Sequence, residues 1–132
     1  MLKRHFEIGE LEVGLSGVAL NGTRTGNLIP LSGYDQLSLM IDHANSSGAL
    51  TITYYLEFSN DDGTTYFREQ KSAVSSGVAT LSDATYSKTV SGAAKWISQH
   101  AVHAKAVRIV FPTVSGAGSS DKVTVDVRLG SI

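Results

Sequence analysis

Hydrophobic and polar residues alternate with a period of two along most of this chain. The clearest alternation runs through four segments, residues 36–42, 50–59, 106–111 and 122–129. In the second segment, five apolar side chains alternate with Thr, Tyr and Glu. Because successive side chains of a strand point to opposite faces, this pattern predicts strands with one buried and one solvated face, which is typical of antiparallel sheets.

Shorter alternating segments predict further strands and bring the total to eight or nine; these segments are residues 6–8, 10–20, 64–70, 78–81 and 85–90. Many short strands separated by turn residues indicate an all-β protein. The length of 132 residues suits one domain. We therefore predict a single two-sheet antiparallel β-sandwich over residues 1–132, with jelly-roll topology favoured and residues 1–5 as a candidate N-terminal arm.

Short runs rich in Ser, Asn, Asp and Gly predict hairpin turns at residues 45–48, 59–63 and 75–77. A turn at 82–84 predicts that the strands on either side of it pair with each other. The small residues of 114–121 predict a hairpin loop between the last two strands. Residues 92–103 have two interpretations, one or two helical turns or a strand that contains Trp96.

The composition narrows the chemistry that the chain can carry out. The absence of cysteine excludes disulfides, thiolate zinc sites, iron–sulfur clusters and a cysteine nucleophile. The formal net charge of −1 argues against a broadly basic surface that binds nucleic acid. No apolar run approaches the ~20 residues of a membrane span, and Glu7 and Glu10 interrupt any signal-peptide pattern. We expect a protein made in the cytoplasm, with no nucleic-acid or membrane partner.

Two groups of residues resemble incomplete metal sites. His100 and His103 are three residues apart, but a closed site needs three or four ligands and no acidic residue lies near them in the sequence. Residues 60–63 resemble a calcium loop, yet Lys71 stands where an EF-hand has its bidentate Glu. We interpret all four histidines as surface or interface residues, and we expect no metal and no cofactor.

Candidate catalytic carboxylates are explained by ion pairs. Glu57 and Asp126 lie on the polar faces of their strands and would be neighbours only if those strands pair. Arg108 and Arg128 lie on polar faces too, so cross-strand ion pairs account for these charges. Neither a Gly-x-Ser-x-Gly elbow nor a phosphate-binding loop occurs. We do not expect an enzyme.

Candidate partner-binding residues lie on a strand face and at the N-terminus. Tyr55 is on the outer face of the second strong strand, and Trp96 is the single tryptophan. Aromatic residues of this kind stack on sugars or contact protein partners. The chain begins with a basic stretch that leads into an apolar residue. The predicted partner-binding residues are Lys3, Arg4, His5, Phe6, Tyr55 and Trp96.

The segment LTITYYLEFSNDDGTTYF, residues 50–67, resembles a hairpin common in β-sandwich proteins of tailed bacteriophage particles. In those proteins an extended strand ends in an Asp-Gly turn and an aromatic residue opens the next strand. Segments 106–111 and 123–129 are similar to the closing hairpin of such domains. The resemblance covers about half of the chain and is greatest to capsid decoration, or cement, proteins.

This resemblance implies a structural virion protein that binds the outside of an assembled capsid and stabilises it by bridging capsomers. It further implies the major capsid protein as partner, self-association as a homodimer or homotrimer, and a location on the capsid exterior. Two alternatives stay open. One is a tail, baseplate or fibre sandwich that contacts a receptor, and the other is a carbohydrate-binding module with loops 21–30 and 114–121 at its binding end.

Overall fold

The computed structural model describes residues 7–44, 48–102 and 104–131, for residues 7–11 the backbone alone, and every regular element in these ranges is a β-strand. The strands are β1 (Glu7–Ala19), β2 (Arg24–Thr25), β3 (Ile29–Pro30), β4 (Gln36–Ala44), β5 (Leu50–Ser59), β6 (Phe67–Arg68), β7 (Gln70–Ser75), β8 (Val78–Asp83), β9 (Tyr86–Val90), β10 (Ala94–Ala101), β11 (Ala106–Phe111) and β12 (Lys122–Ser131). The prediction of an all-β protein is confirmed. Residues 92–103, which had two interpretations, contain strand β10 and no helical turn among the residues described.

Two antiparallel sheets pack face to face. Sheet 1 has the order β1-β12-β4-β10, and sheet 2 has the order β2-β11-β5-β6, with β3 also paired to β11 and β9 also paired to β5. If β2 and β3 are taken as one strand position, and β6 and β9 as another, the eight positions follow the orders 1-8-3-6 and 2-7-4-5. This arrangement of two Greek keys is a jelly roll, as predicted.

The structure has twelve strands in its described ranges, where the pattern predicted eight or nine. The strands that were not predicted are β2 and β3, which lie in the predicted loop 21–30, β7, and β10, whose segment had two interpretations. β6 and β9 pair with opposite ends of β5, at Glu57–Phe58 and at Leu50–Tyr54. The chain between them leaves the sandwich and forms the separate ribbon β7–β8.

Two of the predicted hairpins are confirmed. The turn at 59–63 joins β5 to β6, in the register Phe58↔Phe67. The turn at 75–77 joins β7 to β8, and Ser76 and Gly77 have positive φ values of 53° and 78°. Two consecutive residues of positive φ form a turn whose twist matches the right-handed twist of the two strands that it joins.

Three other predicted pairings are wrong. β4 and β5 belong to different sheets, and so do β11 and β12, so neither 45–48 nor 114–121 closes a hairpin. β8 pairs with β7 and β9 pairs with β5, so the turn at 82–84 does not join paired strands. The physical reason is that turn residues determine where a chain reverses, whereas the sheet that the next strand joins depends on which apolar faces meet.

The alternating residues fill the space between the sheets. Leu37, Leu39 and Ile41 of β4 are buried, and Ile52 and Leu56 of β5 face them from sheet 2. The predicted inward faces of the four strong segments are correct, but on the predicted solvated face of β11 Ala106 and Val110 are buried as well. Each sheet is left with an outer face, and Tyr55 lies on the outer face of sheet 2.

Candidate functional site

The structure separates the residues that the sequence grouped together. Lys3, Arg4, His5 and Phe6 lie outside the described residues. The described chain starts at Glu7 in β1, an edge strand of sheet 1 that pairs with β12. Tyr55 belongs to sheet 2 and lies on its outer face, whereas Trp96 belongs to sheet 1 and lies on its inner face. The six predicted residues therefore do not define one surface within the described part of the chain.

Tyr55 lies on the outer face of sheet 2, as predicted, but its ring is covered. The guanidinium carbon of Arg68 lies 3.4 Å from the centroid of the Tyr55 ring. Arg68 also donates a hydrogen bond to Thr85 Oγ1 at 2.7 Å and lies 3.7 Å from an Asp83 carboxylate oxygen. The Arg68 side chain is held over the ring by these contacts, so the ring face is not a free stacking surface.

Trp96 faces inward from β10 and is half-buried against the core. Its indole N–H donates a hydrogen bond to the Tyr54 hydroxyl at 3.2 Å, and the two ring centroids are 6.5 Å apart. Tyr54 in turn stacks on Tyr86 at 5.6 Å. These contacts give Trp96 a packing role at the side of the sandwich where β10 of sheet 1 approaches β9 of sheet 2.

A polar network continues along the same side of the sandwich. The Tyr86 hydroxyl donates to Glu69 Oε1 at 2.8 Å, and His100 Nδ1 lies 3.3 Å from Glu69 Oε2. His100 Nε2 is 2.8 Å from Ser98 Oγ. Burial by itself raises the pKa of Glu69, but the hydrogen bonds from His100 and Tyr86 outweigh it and lower that pKa. Burial and the adjacent Glu69 raise the pKa of Tyr86 well above its ordinary value.

The order of contacts Ser98–His100–Glu69 is that of a nucleophile, a base and an orienting acid. The His100 side chain is only 1 % exposed, and its ring packs edge-on against Tyr86 at 4.7 Å.

Glu69 and Tyr86 flank the ribbon β7–β8, whereas Ser98 and His100 belong to β10. The network therefore ties sheet 1 to the strand positions of sheet 2, and we call it the seam.

A second buried pair lies between β4 and the start of β12. His43 Nε2 is 3.6 Å from Asp121 Oδ1, and His43 Nδ1 is 3.1 Å from the Gly92 carbonyl. Asp121 Oδ2 accepts a hydrogen bond from the Gly118 amide at 2.7 Å. The interpretation of His43 and His100 as surface residues is wrong, because both are buried and partnered; the other two histidines lie outside the described residues. The described residues contain no group of three or more His, Asp or Glu that could hold a metal.

The ribbon β7–β8 is the part of the molecule that sequence reasoning missed. Its residues are all exposed, from Gln70 to Asp83. The register Val74↔Ala79 and Ser72↔Leu81 places three apolar side chains on one of its faces. We call this ribbon the finger. The sequence predicted the turn at 75–77 and a strand at 78–81, but it predicted no strand over Gln70–Ser75 and gave no indication that both faces of the ribbon would be uncovered.

The outer face of sheet 1 carries a second uncovered apolar group. The pairings Val13↔Asp126, Asp126↔Met40 and Met40↔Ile97 place these four residues in one row across the sheet. Val13, Met40 and Ile97 are exposed. A groove of about 420 Å³ runs along this row, with Met40, Asp42, Lys95, Ile97 and Asp126 in its lining. We call it the sheet-1 groove. The sequence placed Met40 on the polar face of its strand, whereas Ile97 lies in segment 92–103, which had two interpretations, so the sequence indicated only the Met40 part of this group.

Comparison with known proteins identifies a shared fold. No family model matches this chain, and no curated protein matches it in sequence. Among solved structures, the chain is similar to the SPBc2 prophage-derived protein YomS, with a TM-score of 0.57 and 11 % sequence identity over 99 % of both chains. At that identity the likeness shows that the two proteins have the same β fold throughout. No helix in the described residues is long and apolar enough to span a membrane.

Proposed function

We propose that this protein is a non-enzymatic structural component of a phage particle that binds the outside of the assembled capsid and bridges neighbouring capsomers. The observation that carries the proposal is the full-length fold similarity to a prophage-derived protein, since 99 % of each chain is covered. The major capsid protein is the proposed partner. A homo-oligomer of this chain, made in the host cytoplasm and then added to the capsid exterior, is the proposed active form.

The proposed mechanism is mechanical reinforcement of the capsid shell. A bridging protein adds buried interface across the boundary between two capsomers, and the shell then resists internal pressure better. Many copies act together, so a modest affinity per copy is multiplied by avidity. The uncovered apolar side chains of the finger and of the sheet-1 groove suit such contacts, because aliphatic side chains lose hydration when they are covered.

A carbohydrate-binding role has less support. Arg68 covers the ring of Tyr55 and Arg108 lies 3.4 Å over the ring of Tyr66, so these two tyrosines offer no free ring face to a sugar, and Phe67 beside them is the exposed aromatic residue of this region. Trp96 uses its indole N–H within the molecule.

The test is co-sedimentation of the purified protein with preassembled capsids at low and high salt. We expect saturable binding, and weaker binding after deletion of residues 1–5, which include the basic residues Lys3 and Arg4. Thermal melts of both forms serve as the folding control. Binding to isolated tails but not to capsids would assign the protein to the tail instead, and binding to a glycan array alone would favour the sugar-binding alternative.

A further inference from the structure

The buried imidazole of His43 faces two hydrogen-bond acceptors. Its Nδ1 is 3.1 Å from the Gly92 carbonyl oxygen, and its Nε2 is 3.6 Å from Asp121 Oδ1. A carbonyl oxygen only accepts hydrogen bonds, so Nδ1 must carry a proton. Nε2 lies slightly beyond hydrogen-bond distance of the carboxylate and has no hydrogen-bond partner among the described residues. Both nitrogens of a ring without solvent contact therefore point toward acceptors.

A neutral imidazole cannot satisfy both of these contacts. It has one N–H, so its other nitrogen would present a lone pair to an acceptor oxygen. A buried polar atom without a matching partner is costly. One additional proton removes the mismatch. On Nε2 the proton makes the ring cationic beside the carboxylate, and on Asp121 it lets the carboxyl group donate to Nε2. Both placements give the pair the same number of protons.

His100 shows which partner would make the additional proton unnecessary. Its Nδ1 faces the Glu69 carboxylate at 3.3 Å, as His43 faces a carboxylate, but its Nε2 is 2.8 Å from the Ser98 hydroxyl. A hydroxyl both donates and accepts, so a neutral His100 ring keeps both contacts. The described surroundings of the His43 ring nitrogens contain a carbonyl and a carboxylate in place of a hydroxyl.

The other charged side chains on the strands around the pair point away from it. His43 pairs across β4 with Ala94 of β10 and with Val123 of β12, and all three side chains face inward. The charges on the outer face of these strands, and the exposed ammonium on β9, are Asp42, Lys95, Lys122, Asp126 and Lys88. Among the described residues, Asp121 is therefore the titratable group that faces the His43 ring.

The pair attaches the loop of residues 112–121, which connects β11 to β12, to the body of the sandwich. Within this loop, Asp121 Oδ2 accepts a hydrogen bond from the Gly118 amide at 2.7 Å. The Asp121 carbonyl accepts another from the Leu20 amide at 2.8 Å, just after β1. His43 lies near the end of β4, and Gly92 lies between β9 and β10. The imidazole thus contacts two different connections of the chain at once.

We propose that His43 and Asp121 together hold one proton in the folded protein, and that loss of this proton at higher pH releases the 112–121 loop from the sandwich. Without the proton, the Nε2 lone pair and the carboxylate repel each other, and Asp121 is the residue through which the loop contacts β4. The inference does not rest on capsid binding, because it concerns the isolated chain.

The first test compares wild type with His43→Gln by urea denaturation between about pH 6 and about pH 9. A histidine in an unfolded chain loses its proton near pH 6.5, whereas the folded pair keeps it. Because the folded wild type then binds one proton more, the ratio of the folding constants, wild type to variant, should fall by up to about tenfold per pH unit above pH 6.5. A ratio that stays constant or rises over this range would overturn the proposal.

Two further variants separate this effect from the burial of any histidine. His100→Gln is the matched control, and its ratio should fall less steeply, because the Ser98 hydroxyl satisfies a neutral ring. Asp121→Asn supplies an amide that donates to Nε2 of a neutral ring, so wild type should lose stability relative to this variant with the same pH slope. That comparison also serves if His43→Gln does not fold. Equal slopes for His43 and His100, or a flat comparison with Asp121→Asn, would contradict the donor and acceptor argument.

Release of the loop is measured separately by amide hydrogen exchange. The protection factor of the Gly118 amide, corrected for the intrinsic exchange rate at each pH, should fall as the pH rises from about 6.5 to about 9. The Leu39 amide in β4 is the internal control and should keep its protection, because the centre of sheet 1 stays paired. Unchanged protection at Gly118, or an equal loss at Leu39, would contradict a release confined to the loop.

Discussion

The outer faces of the two sheets differ in how their large side chains meet solvent. On sheet 2, Arg68 covers Tyr55 and Arg108 covers Tyr66, each at 3.4 Å from the ring centroid. Arg108 is fixed further by its Nε–H, which donates to Glu57 Oε1 at 2.8 Å. On sheet 1, the row that contains Met40 and Ile97 has no such cover. The difference shows that an outward position in a strand does not by itself make a side chain available to a partner.

The cause of the difference is the length and planarity of arginine. A guanidinium can lie flat on an aromatic ring while its aliphatic stem covers neighbouring apolar surface. Sheet 2 places arginines next to its tyrosines. The row on sheet 1 places Asp126 between Val13 and Met40, and a short carboxylate side chain cannot cover an aliphatic neighbour. The tyrosine rings on the outer face of sheet 2 are therefore covered, whereas the apolar row on the outer face of sheet 1 is open to association.

The largest expected effect on stability comes from the seam, because this network joins sheet 1 to sheet 2. Glu69→Ala removes the partner of the buried His100 ring and of the Tyr86 hydroxyl. Because buried polar groups without partners are costly, we expect the free energy of unfolding to fall by about 2 kcal/mol. Urea denaturation measures it, with Asp126→Ala as the control, since Asp126 has no ion-pair partner among the described residues. A fall no larger than the control's would mean that the seam does not stabilise the sandwich.

The same carboxylate predicts a dependence of stability on pH. Hydrogen bonds from His100 and Tyr86 lower the pKa of Glu69 in the folded state, although burial opposes them. A lowered folded-state pKa adds stability above the ordinary pKa of a glutamate, and this stability is lost as the pH falls through the folded-state value. The stability difference between wild type and Glu69→Gln should therefore shrink as the pH falls from about 5 through the ordinary range of a glutamate pKa and below it. A difference that grows on acidification would contradict this assignment.

A smaller effect is expected on the covered face. Arg108→Ala removes both the stack on Tyr66 and the ion pair with Glu57, and these groups are only partly buried. We expect a loss of about 1 kcal/mol, since exposed ion pairs and cation–π contacts are each worth a fraction of that or little more. Arg128→Ala on the outer face of sheet 1 is the matched control, with an expected loss near zero. Equal losses in the two variants would remove the contrast between the faces.

The sequence predicted the elements of this fold better than it predicted their partners. Alternation identified β4, β5, β11 and β12 with their inward faces, because burial of one face is a local property of a strand. It misassigned three pairings, because the neighbour of a strand in a jelly roll depends on contacts far away in the chain. It also placed the buried His43 on the surface, since its partners, Asp121 and the Gly92 carbonyl, are distant in sequence.

The candidate site was predictable only in part, for the same reason. The outward position of Tyr55 followed from the alternation, but its cover did not, because Arg68 reaches it through the pairing of β6 with β5. The finger was identified as a hairpin turn at 75–77, and nothing local indicates that a hairpin leaves the sandwich. The Met40–Ile97 row required the register between β4 and β10.

A substitution with a still smaller expected effect on stability should expose the ring of Tyr55 on the outer face of sheet 2. Arg68→Ala uncovers Tyr55 while the strand pairing of β5 stays intact, so we expect a stability loss of about 0.5 kcal/mol. The rate of nitration of Tyr55 by tetranitromethane should rise clearly, as read by peptide mass spectrometry. Tyr54, which is buried, is the internal control within the same strand. An unchanged rate at Tyr55 would mean that Arg68 does not shield the ring in solution.

The smallest expected effect on stability belongs to the open face, and it separates stability from association. Ile97→Thr keeps a β-branched side chain on an exposed strand position, so the free energy of unfolding of the monomer should change by less than about 0.5 kcal/mol. The same substitution removes a methyl-rich surface from the sheet-1 groove, and self-association should weaken. The two quantities are measured on one preparation, by urea denaturation at high dilution and by sedimentation velocity at high concentration. A large loss of monomer stability would show that Ile97 belongs to the packing of the sandwich, and sheet 1 would then have no open apolar face to contrast with sheet 2.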